Sequence, residues 1–196
     1  MVARVRTGLL LCTLLLTAAP FTARADVIDS FLSTVHIRTD GAAEVTEEIS
    51  YDFGTEQHHG IYRDIPVVYN DETGATQRIN LDSLTVTDGK LSPYVFETFM
   101  NGNDLRIKIG DPAKLVTGKK MYEISYVAHG VVGFFPTYDE LYWNATGDEW
   151  PIKIVDAATR VYAPASTTKA TCYVGARGST STCAVKESIS GDGSAY

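Results

Sequence analysis

Three cysteines in 196 residues are too few for a disulfide-dense mini-protein, and the composition is not that of collagen. Basic residues are scarce as well: 17 Lys and Arg stand against 24 Asp and Glu. Three of those 17 (Arg4, Arg6 and Arg24) fall in the first 25 residues, which hold no acid, so the remainder carries a net charge of −10. Such a surface repels phosphate backbones and argues against a nucleic-acid partner. Long hydrophobic runs are missing after the N-terminus, where no stretch approaches the ~20 residues needed to cross a bilayer. Helical periodicity is nearly absent too; single turns near Asp111–Leu115 and Tyr138–Leu141 are the most that is expected. No repeat of about 20–50 residues is visible. Catalytic signatures are also lacking: no G-x-S-x-G elbow, H-E-x-x-H, Walker loop or dinucleotide fingerprint occurs. What remains is an ordinary globular mixture, 44% hydrophobic and 21% charged, sufficient for one core and too apolar for a disordered chain.

The N-terminus has the three parts of an export signal. Arg4 and Arg6 form a basic start, and Leu9–Leu16 is a short apolar run interrupted by Cys12 and Thr13. Pro20 follows, and Ala23-Arg24-Ala25 places small residues at the −3 and −1 positions of a cleavage site. The expectation is a signal peptide over 1–25 and an exported domain over 26–196. Removing Cys12 with the signal leaves Cys172 and Cys183, an even count that points to a disulfide in an exported chain.

Beyond residue 26 the hydrophobic pattern has period two. Ala43, Val45, Ile49, Tyr51 and Phe53 alternate with Glu44, Thr46, Glu48, Ser50 and Asp52, and Glu47 alone breaks the apolar side. That predicts a strand with one face buried, joined to Val27–Ile37 through an Asp40-Gly41 turn. Further strands are predicted over Ile61–Tyr69, Arg78–Thr87, Tyr94–Met100, Leu105–Ile109, Met121–Ala128 and Ile152–Tyr162, with short pieces near the two cysteines. Many short strands separated by turns predict an all-β, antiparallel sandwich.

Two clusters stand above this background. In Gly60-Ile61-Tyr62-Arg63-Asp64-Ile65-Pro66 an arginine lies among large apolar residues, where an unpaired guanidinium is too costly. Asp64, Glu47 and Glu140 are its candidate partners. In Glu140-Leu141-Tyr142-Trp143-Asn144-Ala145-Thr146-Gly147-Asp148-Glu149-Trp150, three rings surround a glycine turn. Tyr142, Trp143 and Trp150 form either a platform for a sugar or, the plainer reading, a plug at one end of the sandwich. A glycan hydrolase would need two of Asp139, Glu140, Asp148 and Glu149 across a cleft. His36 and His129 fall on strands. His58-His59 reads as an exposed loop pair, because adjacent residues of an extended chain point apart and a shared metal would need further ligands. No catalytic residue, metal site or cofactor is expected.

In order, the Asp-Gly hairpin, VTEEISYDFG, HGIYRDIP, LRIKIGDP, YEISYVAHG and ELYWNATGDEW resemble the N-terminal exported domain of the bacterial predicted membrane proteins grouped as domain of unknown function 2207. The likeness runs from about Val27 to Ser194, and G-I-Y-R-D-I-P and L-Y-W-N-x-T-G-x-x-W are its most specific strings. It implies an immunoglobulin-like sandwich on the extracytoplasmic face, membrane helices further along the chain and a Gly/Ser-rich tail, with no activity to carry over. Under this resemblance the chain is expected to be the front of a longer, membrane-anchored protein. It would lack its last strand, be poorly ordered over 176–196, and serve in interaction or sensing with an envelope protein or glycan. Carbohydrate binding or glycan hydrolysis around Tyr142, Trp143 and Trp150 is the alternative.

Overall fold

A computed structural model describes residues 25–70, 74–166, 169–176, 178–185, 188–190 and 193–195. The expected export signal, apart from Ala25, lies outside the described residues. The elements are β1 (Val27–Ile37), β2 (Ala43–Asp52), β3 (Ile61–Pro66), β4 (Val68–Asn70), β5 (Thr76–Arg78), β6 (Asn80–Thr87), β7 (Phe96–Asn101), β8 (Asp104–Ile109), β9 (Lys119–His129), β10 (Val132–Phe134), β11 (Asp139–Leu141), β12 (Ile154–Tyr162), β13 (Ser188–Ser190) and β14 (Gly193–Ala195). The described chain is all-β.

Alternation in β2 does what its pattern requires. Val45, Glu47, Ile49 and Tyr51 face the core, while Glu44 and Glu48 face water. The Asp40 carboxylate accepts the Ala42 amide at 3.1 Å, and Gly41 takes φ +81°, which closes the β1–β2 hairpin. That hairpin sets Val35 opposite Val45 and Phe31 opposite Ile49. On its other side β2 pairs with β9, Val45 opposite Tyr126 and Ile49 opposite Tyr122.

These strands form a seven-stranded sheet in the order β13-β14-β12-β1-β2-β9-β6, and β3-β8-β7 make a second sheet. One continuous core takes side chains from both: Phe31, Val45, Ile49, Tyr122 and Ile124 from the first, Ile61, Ile65, Ile107 and Ile109 from the second.

The large sheet is mixed, which corrects the purely antiparallel expectation. β12 runs parallel to β1, from Ile28 opposite Ile154 to His36 opposite Tyr162. A parallel pair needs a long crossover, and everything from β2 to β11 supplies it here. Two predicted strands are also divided. Val67 and Val68 donate their amides to Asn103 O, at 3.1 and 3.0 Å, and Ile79 donates to Val67 O at 2.9 Å. Those bonds leave the ladders, so Ile61–Tyr69 becomes β3 and β4, and Arg78–Thr87 becomes β5 and β6. Tyr138–Leu141, where a helical turn was the most expected, contains β11, paired to β10.

Within 176–196, where poor order was expected, β13 and β14 pair with each other, and Ala195 lies opposite Tyr162 of β12. Residues 177, 186–187, 191–192 and 196 lie outside the described residues.

Candidate functional site

Glu47 enters the core because strand alternation leaves it no alternative: it occupies an inward position of β2, between Ser33 on β1 and Ile124 on β9. Arg63 enters from the opposite sheet for the same reason, with Ile61 and Ile65 as its inward neighbours on β3. Arg63 is 1% exposed and Glu47 0%. The guanidinium grips the carboxylate with both arms, Nε donating to Oε2 and Nη2 to Oε1, each at 2.7 Å. The Tyr126 hydroxyl donates to Oε1 at 2.8 Å, and Arg63 Nη1 donates to Asp64 O at 2.5 Å. Burial works to lower the Arg63 pKa, but the Glu47 charge and hydrogen bonds, with Tyr126 and Asp64, raise it further, so it ends above its ordinary value. Burial, then the Glu47 charge, also lifts the Tyr126 phenol well above its usual range. The guanidinium additionally lies 5.4 Å from the Phe31 ring centre.

The aromatic loop closes over this pair. Gly147 takes φ +75°, and a Cβ there would stand 2.4 Å from Arg63 Nη1 and 3.1 Å from Asp64 O. Asn144 Oδ1 accepts the Gly147 amide at 3.1 Å, and Trp150 Nε1 donates to Thr146 O at 2.7 Å. Trp150 meets Phe31 edge-on at 6.3 Å, and Trp143 lies 6.5 Å from Tyr126. Both tryptophans are half-buried, so two of the three rings are a plug. Tyr142 is 76% exposed.

The two glycines that border the motif strands permit a close crossing: a Cβ on Gly60 would meet Ile109 O at 1.8 Å, and one on Gly110 would meet His59 O at 1.9 Å.

Among the three candidate partners of Arg63, Glu47 is its carboxylate. Asp64 instead forms a two-armed pair with Arg106, at 2.7 and 2.6 Å, and Arg106 stands 4.9 Å over the exposed Tyr62 ring. Glu140 is exposed on β11, and Asp139, Asp148 and Glu149 are exposed as well. Cys172 and Cys183 are bridged, with Cα atoms 5.4 Å apart and Tyr173 opposite Thr182 between them. His36 stacks on Tyr162 at 4.3 Å, and His129 lies 2.9 Å from Asp82. The His58-His59 pair divides: His59 is exposed beside Lys114 O, whereas His58 turns inward onto Phe53, with ring centres 5.0 Å apart. That corrects the expectation of an exposed pair. Tyr126 and Arg106 were not singled out from the sequence, although Tyr126 lay on the apolar side of a clean alternation.

Chemically the clasp is inert. Its carboxylate and guanidinium are sealed and spent on each other, so neither can exchange protons with a substrate. Exposed aromatic side chains lie elsewhere on the described chain. Phe134 ends β10, Phe135 and Tyr138 lie in the turn that leads to β11, and Tyr142 follows β11, all four exposed. Phe135 and Tyr138 stack at 4.7 Å. Beside Tyr142 a cleft of about 540 Å³ runs past Trp143, Asn144, Asn101 and Asn103.

The model of a family described as predicted membrane protein (DUF2207), N-terminal domain, matches residues 27–191. The uncharacterized protein YciQ of Escherichia coli K12 is 29% identical over 121 residues, covering 60% of this chain and 19% of that protein. The chain therefore spans about a fifth of that relative's length. Among solved structures, the M1 zinc metallopeptidase of Deinococcus radiodurans superposes with a TM-score of 0.45 at 10% identity, over 88% of this chain and 38% of the other. Leukotriene A4 hydrolase of Saccharomyces cerevisiae reaches 0.36 at 9% identity, over 53% and 15%. Neither likeness is close enough to transfer chemistry.

Proposed function

Because the chain belongs to the family of predicted membrane proteins described as DUF2207, of which it carries the N-terminal domain, we propose that it is an extracytoplasmic interaction domain of a membrane-anchored protein. An immunoglobulin-like sandwich is the architecture we propose for it, on the support of one core shared by two sheets. The observation that carries the reading is the group of exposed rings on the β10–β11 hairpin, Phe134, Phe135 and Tyr138, followed directly by the exposed acids Asp139 and Glu140. Exposed aromatic groups of this density mark binding surfaces. Their acidic border favours a partner protein with an apolar patch rimmed by Lys or Arg.

The test is photo-crosslinking from position 134 of the full-length protein in its own envelope. One discrete adduct, lost on Tyr138→Asp, is expected; diffuse labelling unchanged by that substitution would oppose it. Tyr142 beside the cleft that Asn101, Asn103 and Asn144 help to line supports carbohydrate binding as a second reading. Glycan binding that survives Tyr138→Asp and is lost on Tyr142→Ala would favour it instead.

A further inference from the structure

We propose that Asp26, Glu56 and His58 form a binding site for a divalent transition-metal ion, and Asp26 and His58 line a cleft of about 470 Å³. One donor atom from each lies within 4.8 Å of the other two. His58 Nε2 stands 3.4 Å from Asp26 Oδ2 and 3.8 Å from Glu56 Oε2. Metal–ligand bonds of about 2.0–2.2 Å in a tetrahedron set neighbouring donors roughly 3.3–3.5 Å apart. The pairs containing His58 thus stand at or just beyond that spacing.

Two orphaned atoms separate this trio from an ordinary ion-pair cluster. His58 Nε2 is sealed from solvent and makes no hydrogen bond, and Asp26 Oδ1 is in the same condition. A buried imidazole nitrogen that stands near two carboxylate oxygens and is hydrogen-bonded to neither is an arrangement a cation completes.

Two of the three ligands are also held in advance. The His58 ring rests on Phe53, and its backbone exchanges hydrogen bonds with Val116 at 3.1 and 2.8 Å. The Tyr51 hydroxyl donates to Asp26 Oδ2 at 2.9 Å, which leaves that oxygen a second lone pair. Burial and this bond both raise the Tyr51 pKa, so the phenol stays a donor. Glu56 is on an exposed loop and closes the site last. One imidazole with two carboxylates suits Zn²⁺ or a neighbour in its row over Ca²⁺ and Mg²⁺, which prefer oxygen alone. Three protein ligands leave a fourth position, and Tyr62, Arg106 and Trp150 line the cleft where a bound group would sit.

The probe is Zn²⁺ added to chelator-stripped protein from its exporting host, followed by calorimetry, with Co²⁺ absorption reporting ligand geometry. One equivalent of Zn²⁺ is expected, with tetrahedral Co²⁺ bands. Glu56→Gln, on the exposed loop, is expected to weaken binding at least tenfold, and His58→Asn to abolish it while circular dichroism stays unchanged. Absence of Zn²⁺ binding to the folded protein overturns the proposal. So does binding that neither variant changes, or that Glu56→Gln leaves intact.

Discussion

Arg63 on β3 and Glu47 on β2 face each other from different sheets and share two hydrogen bonds of 2.7 Å. With Tyr126 below and the Gly147 turn above, the pair ties both sheets and the aromatic loop at one point. Removing one partner leaves the other charged and dry. Arg63→Ala is therefore expected to lose roughly 3–5 kcal/mol of stability, read from the urea midpoint. Replacing both with apolar residues, Arg63→Met with Glu47→Leu, is expected to cost less than Arg63→Ala alone, because no bare charge remains.

Gly147 tests how tightly the loop sits on that pair. Gly147→Ala meets Arg63 Nη1 as well as an unfavourable φ, whereas Gly102→Ala, at φ +64°, meets nothing within 4 Å. The second change is expected to cost about 1 kcal/mol of backbone strain, and the first clearly more. Equal losses of melting temperature would mean the loop yields freely.

Alkaline pH is expected to unfold the protein through its buried phenols. Tyr51, Tyr122 and Tyr126 all have raised pKa values in the folded chain, chiefly from burial. In the unfolded chain a phenol ionises near pH ~10. Above that value the unfolded state binds fewer protons than the folded one, so stability falls as pH rises; below it these groups have no effect. The loss attributable to Tyr126 is up to about 1.4 kcal/mol per pH unit. Tyr126→Phe is expected to flatten the stability profile above about pH 10 by that much.

The Cys172–Cys183 bridge closes a local turn whose described pairing is internal, Tyr173 opposite Thr182. Chain entropy alone assigns such a loop roughly 2.5–3 kcal/mol. Because the bridged turn pairs with itself, the Cys172→Ser, Cys183→Ser double variant is expected to lose less than that in the core transition. Thiol labelling of the denatured, unreduced protein should find neither cysteine.

The clasp was half legible in the sequence. Glu47 breaks an otherwise apolar face, and Arg63 sits between Ile61 and Ile65; each residue needs a partner of opposite charge. Choosing Glu47 over Asp64 or Glu140 required knowing which strands stack, and alternation carries no such information. Alternation likewise cannot give the direction of a neighbouring strand, so the parallel β12 was hidden. The plug was the plainer reading of Trp143 and Trp150 from the sequence, but that their loop closes over Arg63 was not legible there. The rule that adjacent side chains point apart removed a metal shared by His58 and His59. The same rule turns His58 inward while His59 points out, toward an Asp26 that local spacing could not reveal.

Export processing is expected to cut between Ala25 and Asp26. The n-, h- and c-region pattern places the bond there. On the C-terminal side of that bond Asp26 is bonded to Tyr51 and Val27 opens β1. A cut one bond later would also remove the carboxylate that Tyr51 and His58 face. Sequencing of the exported protein should read Asp26-Val27-Ile28 from its first cycle. A mature chain beginning at Val27 would contradict both the cleavage rule and the role given to Asp26, and retention of Met1 would show an uncleaved anchor.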